Sequence, residues 1–370
     1  MKKLSVVFTI LAATALLLAA CGPAATTAAP APSTGTKISA GIVTDTGGID
    51  DKSFNALAWK GVQEGITQLG ISGKYLESHQ QSDYDKNIQQ FINEKADLIV
   101  TVGFLMGVNT ATAAKANPNS KFLIIDYTYP DCSGTQVEGK DCGSKTDISN
   151  VRGTFFETDQ AAFLAGYLAA GMTKTGTIGT FGGVNIPPVT IYMKGFQAGA
   201  MYYNQKHSTS VKVLGWDDVS QKGLFTGNFT STDDGNSFAQ QLVQEGADIV
   251  MPVAGGVGVG SAAYCRTSGK CLFIGVDQDW FVSDNADASV ELVSVLKNVD
   301  TAVFDGIQDV QNGKFTGGTA NLTLANGGVG FSSYHNFDSQ VPASLKAEID
   351  QVKADLISGK ITVNGVLGEK

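Results

Sequence analysis

The sequence predicts an α/β protein built as two lobes. From residue 37 onward, short apolar runs alternate with stretches whose apolar residues recur at helical spacing, the pattern of parallel strands joined by crossover helices. Two such series of similar length follow one another, without a clear sequence repeat between them. Glycines, 44 in all, cluster where strand-like runs end, at Gly47-Gly48, Gly182-Gly183 and 255–260, as tight turns or a close approach of backbone to ligand require.

The first series opens with a strand at 37–44 and a helix at 52–69, whose apolar face is Ala56, Leu57, Trp59, Val62, Ile66 and Leu69. Strands at 97–103, 121–127 and 151–156 follow, with helices at 85–94 and 106–116 between them. The second series begins with a helix at 158–172 and continues through strands at 176–182, 211–216, 248–254 and 271–276, with helices at 189–205 and 238–245. Residues 37–157 with about 278–325 are assigned to the first lobe, and 158–277 with about 326–370 to the second, so that the chain crosses between them several times.

The N-terminus reads as an export signal. Lys2 and Lys3 precede an apolar run that ends Leu18-Ala19-Ala20-Cys21, the pattern of a lipoprotein whose Cys21 is acylated after residues 1–20 are cleaved. Residues 22–36 are rich in Ala, Pro, Thr and Ser without a charged side chain, a composition that buries no core and serves as a flexible tether. The formal net charge of −9, about −11 once Lys2 and Lys3 leave with the leader, disfavours nucleic acid and anionic membrane surfaces as partners. Contact with the membrane is expected through the lipid. Cys132, Cys142, Cys265 and Cys271 remain as an even set in an exported chain and are expected to pair locally, Cys132 with Cys142 and Cys265 with Cys271. Their spacing is not C-x-x-C and no histidine lies beside them, which argues against zinc, and no cofactor is expected.

Catalytic machinery is hard to assemble. His79, His207 and His335 have no metal-ligand spacing, and the chain carries neither a G-x-S-x-G elbow nor a P-loop. The run 43–55, Val-Thr-Asp-Thr-Gly-Gly-Ile-Asp-Asp-Lys-Ser-Phe-Asn, instead places charges, glycines and one aromatic where a strand gives way to a helix, the edge at which open α/β sheets bind ligands. Asp126 and Asp277 likewise stand after apolar strand-like runs. With Asp45 they make three strand-end carboxylates, suited to accepting hydrogen bonds from vicinal hydroxyls of a sugar, with Lys297 as a donor beside them. Phe54 and Phe229 sit among polar residues where a core ring is not expected and can sandwich a planar heterocycle. Gly255 belongs to a strand-to-helix turn lining the same cleft rather than to a G-x-G-x-x-G fingerprint.

As a set, the loop 43–55, Asp126-Tyr127, Ala-Ala-Phe-Leu-Ala-Gly-Tyr-Leu-Ala-Ala at 161–170, Gly182-Gly183, Gly195-Phe196, Gly246-Ala247-Asp248, Ala254-Gly255-Gly256 and Gly275-Val276-Asp277-Gln278-Asp279 resemble the basic membrane protein family of lipoproteins, the PnrA-like receptors of bacterial ABC transporters. The resemblance covers nearly the whole mature chain. It implies a type I periplasmic-binding fold, two Rossmann-like lobes that close on a nucleoside, purine favoured, without covalent chemistry and hand it to an ABC permease. It implies ribose-binding carboxylates at Asp45, Asp126 and Asp277 with Lys297 beside them, stacking rings at Phe54 and Phe229, and a polar contact from Asn55. Trp280 and the insert at 131–147 depart from the family pattern. Two alternatives remain open: a sugar receptor of the same fold, and a calcium-dependent nucleoside hydrolase, whose D-x-D-P-G-x-D-D loop is approximated at 45–51.

Overall fold

The computed structural model describes residues 37–129 and 148–369. The expected leader and tether with Cys21, and the insert with Cys132 and Cys142, lie outside the described residues. The chain first lays down β1 (Ser39–Val43), α1 (Phe54–Glu64), β2 (Ser72–Leu76), α2 (Tyr84–Asn93), β3 (Leu98–Val102), α3 (Gly107–Ala116), β4 (Phe122–Ile125) and β5 (Val151–Phe156). Next come α4 (Thr158–Met172), β6 (Thr177–Gly182), α5 (Pro187–His207), β7 (Lys212–Leu214) and a small hairpin of β8 (Trp216–Asp217) and β9 (Lys222–Gly223). These lead to α6 (Thr232–Gln244), β10 (Ile249–Val253), α7 (Val257–Ser268), β11 (Leu272–Asp277), α8 (Trp280–Ser283) and β12 (Glu291–Lys297). The remainder is α9 (Val299–Gln311), β13 (Gly318–Leu322), β14 (Val329–Phe331), α10 (Ala343–Ile357) and α11 (Val363–Leu367).

The strands form two six-stranded sheets, ordered β13-β5-β4-β3-β1-β2 and β14-β12-β11-β10-β6-β7. All pairings within them are parallel except that of β14 with β12. Parallel strands buried on both faces must be apolar throughout, and β3 and β10 are buried along their whole length. In each sheet the order reverses, at β1 in the first and at β6 in the second. Crossover helices leave on opposite sides there and open a crevice at the carboxyl ends of the strands.

One assignment differs from the sequence expectation. Glu291–Lys297, placed with 278–325 in the first lobe, pairs with β11 in the second sheet, because its apolar run continues that sheet's parallel register. Only beyond Asn298 does the chain return to the first half, where α9 packs on α1. The chain therefore passes between the sheets three times, at Glu157 after β5, at Asn298 after β12 and between β13 and β14. The crossings are tied together: the Glu157 amide donates to Leu322 O at 2.8 Å and the Asn298 amide to Gly328 O at 3.0 Å.

Why α4 carries an unbroken apolar run is clear from its surroundings. It touches α5, α10, β12 and β14, so that residues 161–170 are all buried and no polar face is needed. The crossing with α5 is a backbone contact. A Cβ on Gly166 would stand 2.0 Å from Phe196 O, and one on Gly199 2.0 Å from Phe163 O. The disulfide expected between Cys265 and Cys271 is present, joining the last turn of α7 to the residue just before β11.

Gly166→Ala and Gly199→Ala should each lower the unfolding free energy measured in urea by about 1–3 kcal/mol, the cost of overpacking a close contact. An unchanged midpoint for both would contradict this account of the crossing.

Candidate functional site

The carboxyl ends of the two sheets face a shared cavity of about 540 Å³, its mouth included. Asp45, Phe54, Asn55, Asp126, Phe229, Gly255, Asp277 and Lys297 all line it. They come from both halves of the chain. Asp126 and Asp277 each follow or end a strand with a left-handed backbone, φ 67° and 71°. That conformation is uncommon for a residue with a side chain, most tolerated by Asp and Asn, and here it sits at both strand-end carboxylates.

Asp126 accepts a hydrogen bond from Lys297 Nζ across the cleft, and both side chains are buried, 7 % and 3 % exposed. The ammonium also faces three rings, with Nζ 4.8 Å from the centroid of Phe54, 5.1 Å from Phe156 and 5.8 Å from Tyr192. Asp277 is held by two hydroxyls. Tyr192 donates to Oδ1 at 2.7 Å, and Ser53, from the first loop, donates to Oδ2.

The loop after β1 is organised by its own carboxylates. Asp51 accepts from the backbone amides of Ser53, Asn55 and Ala56 at 2.8–3.0 Å and so occupies the free N–H groups that open α1. Asn55 Nδ2 bridges Asp45 Oδ1 at 3.0 Å and Asp51 Oδ2 at 3.1 Å, and its Oδ1 is buried without a partner. Asp45 accepts as well from the Gly47 amide at 2.9 Å. Lys52 reaches the other half, pairing with the buried Asp284 at 3.1 Å. On the far wall, the Phe229 ring lies against Gly183, where a Cβ would come within 2.4 Å of it. Gly183 thus seats the ring.

Burial pushes the carboxyls of Asp45 and Asp126 above the usual range, against the pull of Asn55 on one and Lys297 on the other. Burial also takes Asp51 up to about 7, although three amides pull it down. Tyr192 is raised well above its ordinary value by burial and by Asp277, which keeps its hydroxyl a neutral donor.

The histidines and Trp280 stand elsewhere. His207 contacts Tyr167 and Glu348, His335 pairs with Asp279, and His79 is exposed. Trp280 packs on Phe273 beneath the second sheet, with its indole N–H donating to Val276 O at 2.9 Å, and does not line the cavity. In the calcium-like loop Asp50 is exposed while Asp51 is taken up by the helix start, and among the described residues no three acidic, histidine or cysteine side chains could hold a metal ion. Sequence reasoning missed Tyr192, Ser53 and Asp51. Tyr192 lies at helical spacing with Val189, Met193 and Phe196 and reads as core, whereas Asp51 reads as part of the calcium-like pair and not as the acceptor of the amides that open α1.

Residues 38–365 match the family model described as ABC transporter substrate-binding protein PnrA-like. The chain is 33 % identical over 346 residues to a Lactococcus lactis ABC transporter nucleoside-binding protein, BmpA, covering 89 % of each. It is 32 % identical to an uncharacterized lipoprotein of Pyrococcus furiosus over 308 residues, 80 % of this chain and 70 % of the other. An ABC transporter solute-binding protein from Aeropyrum pernix superposes with a TM-score of 0.76 at 25 % identity, over 88 % of this chain and 92 % of that one. The architecture is the type I periplasmic-binding fold.

Glu291, at the start of β12 with Oε2 buried and unpartnered, is also pushed up to about 7 by burial. The folded chain therefore holds protons on Asp51 and Glu291 more tightly than the unfolded chain, whose carboxyls titrate near ~4. Stability from this source is present at low pH and is lost as pH rises through about 7. The denaturation midpoint should fall between about pH 5 and 7.5, and Glu291→Gln should flatten that slope. A midpoint rising over this range would contradict the assignment.

Proposed function

The chain belongs to the Bmp family of PnrA-like ABC transporter substrate-binding proteins, and we propose that its solute is a nucleoside, purine favoured, captured at the cleft and delivered to an ABC permease. The observation that carries this reading is the convergence of carboxylates, an ammonium and two aromatic rings, from positions between 45 and 297, on one cavity. Carboxylates without a metal accept hydroxyls, and rings stack on planar heterocycles; a nucleoside presents both.

In this reading Asp45, Asp126 and Asp277 take the ribose hydroxyls and Lys297 donates to them. Phe54 and Phe229 enclose the base, each stack worth about 1–3 kcal/mol. Asn55 offers its unpartnered Oδ1 to a donor on the ligand. Closure of the two halves excludes water from these contacts, and the closed, liganded form is what a permease distinguishes. Cys21 carries the lipid that holds the protein at the outer side of the cell membrane, and no covalent chemistry takes place. The Lactococcus relative described as nucleoside-binding supports the choice of solute.

Calorimetric titration of the ligand-stripped mature chain with guanosine, inosine, adenosine, cytidine, uridine and ribose tests the proposal. Saturable binding of nucleosides but not ribose is expected. Ribose binding equally well would favour the sugar receptor, and calcium-dependent release of free base would favour the hydrolase. Asp277→Ala should weaken nucleoside binding by about 1.5–3 kcal/mol, the scale of a charge-assisted hydrogen bond. Wild-type affinity in that variant would remove Asp277 from the ribose contacts.

A further inference from the structure

We propose that Tyr192 is a positioning residue for the solute: its hydroxyl fixes the carboxylate of Asp277 in the orientation that accepts ligand hydroxyls. The proposal rests on the nucleoside reading and adds to it a residue that touches the carboxylate rather than acting through its own contact with the sugar.

Asp277 is the last residue of β11, and its left-handed backbone turns the side chain towards the cavity. A strand-end aspartate in that position still rotates about two side-chain bonds, so something else must choose its rotamer. Tyr192 does so from α5, 85 residues away in sequence, with the 2.7 Å bond to Oδ1. A phenol has one proton to donate, and here that proton is committed to a carboxylate. The ring is 1 % exposed, so the tyrosine cannot swing aside without leaving a void. Ring and hydroxyl have separable parts. The ring forms part of the cavity wall and lies near the Lys297 ammonium, while the hydroxyl addresses Asp277 alone.

The second hydroxyl on Asp277 is of a different kind. Ser53 belongs to the loop leading into α1, on the side of the first sheet, whereas α5 packs on β6 and β10, in the same half as Asp277. Tyr192 therefore orders the carboxylate whatever the arrangement of the halves, and Ser53 adds its bond only when they meet. A carboxylate has about four lone-pair positions. With one position on each oxygen already used, each oxygen keeps one for a ligand donor, which suits a pair of neighbouring hydroxyls. Phenylalanine at 192 would fill the same space and leave Oδ1 without its fixed donor.

The test compares wild type with Tyr192→Phe in the mature chain, titrated with guanosine, 2′-deoxyguanosine and 3′-deoxyguanosine, with the unfolding midpoint measured alongside. The expected result is a roughly tenfold loss of affinity for guanosine. The loss should shrink to about twofold or less for the deoxy analogue lacking the hydroxyl that Asp277 accepts, because the tyrosine and that hydroxyl are coupled through one carboxylate. Equal losses for all three ligands would mark a structural role only and overturn the proposal, as would no loss for any. If wild type binds no nucleoside, it is the nucleoside reading that fails. Crystal structures without ligand then decide the positioning claim. Asp277 is expected to leave its rotamer in Tyr192→Phe, and an unchanged rotamer would overturn it.

Discussion

An ammonium that is 3 % exposed needs a partner, and Lys297 finds it in Asp126 from the opposite sheet. Removing either member would leave a buried charge uncompensated, at a cost of about 3–5 kcal/mol, so the ends of β12 and β4 are obliged to stay together. Much of the cleft follows from that pairing. Phe54, Phe156 and Tyr192 turn their faces to the same ammonium. Lys297 is the cationic side chain in the cavity wall, and its carboxylate partner is Asp126, so the other carboxylates are met by neutral donors. Asp51 takes backbone amides, Asp45 an amide and the Asn55 side chain, and Asp277 two hydroxyls.

The two sheets repeat one another in a way that side chains hide. β3 and β10 occupy equivalent places in the strand orders, as do β4 and β11. The chain leaves β3 at Gly103 and β10 at Gly255 with positive φ, and it leaves β4 at Asp126 and β11 at Asp277 in the same left-handed region. A parallel sheet asks its strands only to be apolar and its exits only to turn sharply. Those demands preserve geometry without preserving letters, which is why no sequence repeat is visible.

The elements most legible in the sequence were those whose burial leaves no choice of residue. β10 and α4 lie where the apolar pattern puts them, the strand to within one residue at either end, because a strand inside a sheet and a helix enclosed on all sides must be apolar. β2 escaped notice because, at the sheet edge, Ser72-Gly73-Lys74-Tyr75-Leu76 is largely exposed and has no apolar run to show. The start of α6 was hidden by its polar first turn, capped by Ser231 onto the Asp234 amide at 3.2 Å. The cavity residues were readable as aspartates at strand ends and rings out of place. Tyr192 was not, since its spacing is that of a core residue and its hydroxyl meets a partner that only the folded chain brings near.

The three crossings between the sheets have a mechanical meaning. Two bodies joined by one strand can swivel, tilt and shear; three neighbouring connections, bonded to each other at Glu157 with Leu322 and at Asn298 with Gly328, resist torsion and sliding and leave bending as the soft coordinate. Lys297 and Phe156 sit one residue before two of these crossings, close to the pivot, where a given rotation displaces atoms least. Lys52 and Asp284 meet away from those crossings in sequence. The joint thus works as a single-axis flexure, with its buried ion pair near the bearing.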